Sequence, residues 1–206
     1  MLLTEFFENY YYTTQQIVQH TGVSEQTLID WQSSHLIPNA DYHLKNKIQS
    51  SSFFGIYDVI EEKAYFARGY TKWIELVKKM DKPSSAQAFT VFYQHYAKAL
   101  TDIATKGISI PSEYFETLDE AIQDHWQLFL AGKYGVLTAN GFIHEIVTLE
   151  LIEYLSTNID EKTMMANIKE LIRLLERVIS YPPKQLHCES PSLSLLAKLN
   201  TYETKA

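Results

Sequence analysis

Cysteine is nearly absent from this chain of 206 residues: Cys188 is the only one, which excludes an intrachain disulfide and a thiolate metal cluster. Basic side chains are also scarce, 18 Lys and Arg against 25 Asp and Glu, for a net charge of −7. A surface of that sign disfavours non-specific adhesion to nucleic acid or to an anionic membrane. No run approaches the ~20 consecutive apolar residues of a membrane-spanning helix. The opening MLLTEFFENY has an early acid and no long apolar core, so it does not read as a secretory signal. These absences point to a cytoplasmic protein. What is present is ordinary for a globular chain, 46% hydrophobic and 21% charged residues, with an aromatic share of 13%. The length suits one large or two small domains.

The chain is organised around residues 12–38, YTTQQIVQHTGVSEQTLIDWQSSHLIP. Thr13 can cap a helix and Gln16 can close a capping box with it. Gly22 stands where that helix must stop, at a position that usually needs positive φ. Ser24 then caps a second helix to about Ser34. Ile17, Val18, Val23, Leu28 and Trp31 supply the inward face. Tyr12-Thr13, Thr21-Gly22-Val23-Ser24, Thr27-Leu28 and Leu36-Ile37-Pro38 follow, in order, a known pattern. In these residues the sequence resembles the helix-turn-helix of MerR-type transcription regulators. The resemblance implies a winged-helix-like fold and a DNA-binding ancestry.

The chain departs from that family where the phosphate contacts belong. Gln26, Ile29 and Asp30 stand on the second helix, and His43 on the following strand, where the family carries arginines and tyrosines. Phosphate contacts supply most of the affinity of a DNA-binding module. Over residues 1–60, Lys45 and Lys47 face Glu5, Glu8, Glu25, Asp30, Asp41 and Asp58, a net charge of −4. Residues 63–82 reverse the sign to +4, with Lys63, Arg68, Lys72, Lys78, Lys79 and Lys82 against Glu75 and Asp81. That segment reads either as a solvated helix face or as a phosphate-contacting flank in which Lys72 and Lys79 would serve.

Around this centre the pattern predicts a short helix from Leu2 to Tyr10. A two-stranded wing follows Pro38, with its tip near Lys45–Ser52. Asp58 can cap a helix through Ile60, Ala64 and Phe66 as far as Gly69, and Thr71 can start another. Asp81-Lys82-Pro83-Ser84-Ser85 divides a module of residues 1–80 from a helical domain of residues 81–206. Helices are expected at Ala86–Thr105, from Ser112 or Leu118 to Gly132, at Ile143–Leu155 and at Asp160–Ser180, with a short docking helix in Ser190–Tyr202. The predicted fold is mostly α: an N-terminal winged-helix-like module with a small β wing, then a C-terminal helical domain.

Residues 124–136, DHWQLFLAGKYGV, form the second distinctive stretch. The segment resembles a poorly characterised bacterial family labelled with natural-product biosynthesis. Its bare reading is a helix end followed by an aromatic turn. The aromatics and histidines nearby, Tyr93, His125, Trp126, Tyr134 and His144, are candidates to line a ligand pocket, although aromatic stripes at helical spacing are usually core. His95, Asp124, Glu145 and Glu150 join them as potential metal ligands, but the spacing offers no preorganised set. Cys188 beside His187 lacks a nucleophile elbow, and there is no Gly-rich phosphate loop. No cofactor and no catalytic residue is implied. The expectation is a non-catalytic regulatory or accessory protein that uses Gln26, Ile29, Asp30, His43, Lys45, Lys72 and Lys79 to meet a protein partner or a second copy. A DNA-binding regulator, and an enzyme or ligand-binding component of natural-product biosynthesis, stand as alternatives.

Overall fold

The computed structural model describes residues 3–134, 142–158 and 161–175. The chain is mostly helical, with one small antiparallel sheet. Helix α1 (Leu3–Tyr10) buries Phe6 and Phe7, and strand β1 (Tyr11–Thr13) leads directly into α2 (Thr14–Thr21). Thr13 caps α2: its Oγ1 accepts from the Gln16 N–H at 3.3 Å, while Gln16 Oε1 accepts from the Thr13 N–H at 2.8 Å. The capping box read from the sequence therefore forms. Gly22 ends the helix at φ 67° and its N–H donates to the Val18 carbonyl, as its place after the last turn requires. Ser24 Oγ accepts from the Thr27 N–H at 3.1 Å and opens α3 (Glu25–Ser33).

After α3 the segment 36–41 is held by long-range hydrogen bonds rather than by its own turns. The Leu36 carbonyl accepts from Trp73 Nε1 at 2.8 Å, and the Asn39 carbonyl accepts from the Tyr70 hydroxyl at 2.8 Å. Asp41 Oδ2 accepts from the Ala67 N–H at 2.6 Å, and burial still pushes that carboxyl up to about 8.

Strands β2 (Tyr42–Ser52) and β3 (Gly55–Ala67) form a long hairpin that turns at Phe53-Phe54, and β1 adds to the other edge of β3, giving the order β1-β3-β2. Two sequence expectations are corrected here. The tip lies beyond Lys45–Ser52, and the helix expected from Asp58 to Phe66 is strand. Its side chains alternate, so Val59 pairs Ile48 on one face and Ile60 pairs Lys47 on the other. Asp58 Oδ1 accepts from Gln49 Nε2 across the ladder at 3.1 Å instead of capping a helix. At the base, Tyr65, Phe66 and Ala67 pair with β1, Tyr65 between both strands, and all three are buried.

The remaining elements are helices: α4 (Tyr70–Lys78), α5 (Ser85–Thr105), α6 (Ser112–Glu116), α7 (Leu118–Leu130), α8 (Phe142–Asn158) and α9 (Glu161–Leu175). Ser84 caps α5, through the Gln87 N–H at 3.3 Å, as its position after Pro83 suggests. Helix α8 lies against both α5 and α9 and buries Ile146, Val147, Leu151, Ile152 and Leu155, so polar residues between these positions are drawn inward with it. Trp73 of α4 meets Phe92 of α5 and both Trp126 and Phe129 of α7, with ring centroids 5.2–6.3 Å apart. One apolar core thus crosses the 81–85 boundary. Gly135, Val136, Ile179, Pro182, Pro183, His187, Cys188 and the segment Ser190–Tyr202 lie outside the described residues. Among the described residues no helix is long and apolar enough to cross a membrane.

Candidate functional site

Among the described residues, two surfaces and one buried polar network gather chemistry-bearing side chains. The first surface is the outer side of α3 with the hairpin. Glu25, Gln26, Ile29, Asp30 and Ser33 are all exposed, and α3 contains no basic residue. Gln26 Nε2 donates to Asp30 Oδ1 at 2.9 Å, which further occupies that face with its own contact. Ile29 is 49% exposed, so the C-terminal helices do not cover it. Along the hairpin, Lys45 is paired with Glu62 at 2.6 Å and Lys63 with Glu61 at 3.2 Å. His43, Lys45 and Leu44 line a groove of about 580 Å³ at the hairpin base, together with Thr14, Gln15 and Glu25. Beyond that base the hairpin carries Ile48, Phe53, Phe54, Ile56, Tyr57, Val59 and Ile60 in the open.

The second surface is a cleft of about 730 Å³ between α2 and α4 on one side and α5 and α8 on the other. Lys72 and Leu76 of α4 and Lys79 at its C-cap recur on one face, and His95, Lys98, Ala99 and Asp102 on one face of α5, each at helical spacing. Tyr12, His20 and Thr21 close one end, and Ile143 and His144 of α8 contribute a further wall. Burial, reinforced by Lys106, holds the His144 imidazole below its ordinary range, while Asp102 opposes the shift. Nearby, the Glu145 carboxyl is pushed up by burial against the attraction of Lys72.

The buried network joins four elements of the C-terminal half. The Tyr114 hydroxyl donates to Glu150 Oε2, and the Tyr96 hydroxyl donates to the same oxygen at 3.4 Å. His125 Nδ1 bonds the Tyr134 hydroxyl, and the His125 ring lies 5.9 Å from that of Tyr96. Burial pushes Glu150 up to about 7 and His125 down to about 4, so both groups resist charge inside the helical core. Tyr96, Tyr114 and Tyr134 are raised far above the phenol range, burial being the first cause of each. This arrangement can hold a proton on Glu150.

The structure divides the residues singled out from sequence. Gln26, Ile29, Asp30, His43 and Lys45 lie on the α3 and hairpin surface. Lys72 and Lys79, expected to flank them, line the cleft instead. The five residues proposed for one pocket do not come together. His144 lines the cleft, Tyr93 is an exposed donor to Asp119 at 2.8 Å, His125 and Tyr134 belong to the buried network, and Trp126 is core. Among the described residues no group of three or more His, Cys, Asp and Glu is placed to hold a metal ion. Sequence reasoning missed Phe53-Phe54 and Lys98. The first could have been found as an apolar pair inside a polar turn, whereas the second needed the packing of α5 on α4.

Residues 88–185 match a family of unknown function, DUF6058. No curated protein and no solved structure matches the chain. The matched span takes in the whole buried network and the α5 and α8 walls of the cleft, and it leaves α1–α4 and the hairpin outside.

Proposed function

We propose that this chain is a non-catalytic regulatory or accessory protein whose N-terminal half, a MerR-like winged helix-turn-helix, has been turned from DNA to protein contact. The observation that carries this reading is the hairpin tip. Phe53 and Phe54 are 98% and 87% exposed in a turn whose usual residues are Gly, Asn and Asp. Aromatic side chains have no local reason to sit there. With Tyr57 they offer roughly 500 Å² of apolar surface, a large part of the about 800 Å² that each partner contributes to a standard interface. The acidic, lysine-free outer face of α3 gives phosphate nothing to hold.

The occupant to which the reading commits is a second copy of the chain. Strand β2 is a sheet edge, eleven residues long and free of proline. A twofold axis through Ile48 would set Lys47 opposite Gln49 and Lys45 opposite Ser51, so no lysine meets a lysine. The same register aligns Val59, Ile48 and their twofold mates in one apolar row, and brings each Phe53 to the His43 groove of the other copy.

Light scattering on the purified protein tests this. The wild type is expected to have the mass of a dimer, and Ile48→Lys, which opposes two lysines across the axis, to weaken association at least about tenfold. Phe53→Ser with Phe54→Ser should act in the same direction. A wild type that stays monomeric at all concentrations contradicts the reading, as does salt-sensitive binding to random duplex DNA.

A further inference from the structure

The hairpin reading makes no use of the cleft, whose lining gathers three lysines on one concave surface. Three lysines elsewhere are drawn into ion pairs, Lys45 with Glu62, Lys63 with Glu61 and Lys78 with Glu75. Lys72, Lys79 and Lys98 take part in none among the described residues, although they converge on one concave surface. Of the two acids in the lining, Glu75 is already engaged by Lys78 at 2.8 Å, which leaves Asp102 alone to face the three lysines. In a protein of net charge −7, three converging lysines outside those ion pairs, one of them acted on by Glu145 beyond the lining, create a local positive field. Between them the wall is apolar, built by Trp73, Leu76, Ala99 and Ile143. The volume, about 730 Å³, falls within the range of about 300–1,000 Å³ usual for small-molecule sites, and a seam between packed units is where such sites form.

We propose that this cleft binds a small amphipathic organic anion, with Lys72, Lys79 and Lys98 holding its charged group and Trp73, Leu76 and Ile143 its apolar body. Carboxylate and phosphate heads share the required chemistry. The lysines present point charges rather than the planar fork of arginine, so a compact head of either kind fits. Neither side of the cleft makes the site alone, since Lys72 comes from α4, Lys79 from the cap at its end and Lys98 from α5. A ligand there would bridge the N-terminal module and the helical half.

Calorimetric titration of the full chain with 1-naphthyl phosphate, 1-naphthoate and 1-naphthylmethylammonium separates the terms. At least one anion is expected to bind, more weakly as salt rises, and the ammonium isostere is not. Binding of one anion alone supports the site and assigns its head group. Lys72→Glu with Lys98→Glu should weaken anion binding at least about tenfold, while Lys133→Glu, outside the cleft, should match the wild type. All three lysines are exposed, so folding is expected to survive and a thermal melt verifies it. Equal binding of the ammonium, insensitivity to the double charge reversal, or no heat from either anion would overturn the proposal. The outcome is independent of oligomeric state, so its failure and that of the hairpin reading are told apart.

Discussion

Replacing Gly132 with alanine is expected to destabilise the protein by about 3–5 kcal/mol, the sum of backbone strain and overpacking. Gly132 has φ 68°, and an added Cβ would stand 2.6 Å from the Ala40 carbonyl oxygen and 2.9 Å from that of Asn39. Both obstacles are backbone, and that backbone cannot move freely. The Asn39 N–H donates to the Leu130 carbonyl at 2.9 Å, and the Asn39 carbonyl accepts from Tyr70. The close approach is therefore the point where the loop after α3 is pinned to the end of α7. A loss of that size lowers Tm by roughly 6–20 °C in a chain of this length. Gly22→Ala is the control: φ is 67°, but the space around it is open, so only the strain of about 1 kcal/mol applies. Thermal unfolding of the two variants checks the contrast. Equal losses would mean that the junction yields.

Glu150→Gln is expected to stabilise the protein at neutral pH and to leave it unchanged in acid. Burial raises the folded Glu150 carboxyl from its ordinary 4.5 to about 7. Between those values the unfolded chain has released the proton and the folded chain retains it. Stability therefore falls as pH rises through this window, by about 1.4 kcal/mol per unit, and the cost is complete above about 7. The amide keeps an acceptor for Tyr114 and Tyr96 and does not ionise. The variant should match the wild type near pH 4.5 and exceed it by about 3–4 kcal/mol at pH 8. His125 acts in the opposite sense. Its folded value of about 4 lies below the ordinary 6.5, so its contribution is lost as pH falls through that interval. In Glu150→Gln the acid side of this dependence is unmasked. Denaturant unfolding at pH 4.5, 6 and 8 measures the difference, and a difference constant across pH would contradict the burial of Glu150.

Local signals carried well from sequence to structure in this chain. Thr13, Gln16, Gly22 and Ser24 act through hydrogen bonds within one or two turns, so their positions alone predicted the two helices and the turn between them. Ser84 behaved in the same way. The helix expected from Asp58 is strand as far as Ala67 because Asp58 only looks like a cap, and pairing with β2 and β1 decides that the alternating residues form a strand. The pocket expected from Tyr93, His125, Trp126, Tyr134 and His144 dissolved for a related reason. Helical periodicity says that these residues point to some side, but not which neighbour fills it. Lys72 and Lys79 were visible as a basic concentration, whereas their convergence with Lys98 depends on α5 crossing α4. Glu150 drew notice as a potential ligand; its raised carboxyl follows from α8 being enclosed by its neighbours.

Hydrogen–deuterium exchange along β2 tests the proposed contact most directly. In the free chain the outward amides of an edge strand face water. Pairing two copies about Ile48 predicts that every second amide between Leu44 and Ser50 becomes protected as protein concentration rises, and that Ile48→Lys abolishes this protection. Exchange of these amides that is fast and independent of concentration, in wild type and variant alike, would contradict it.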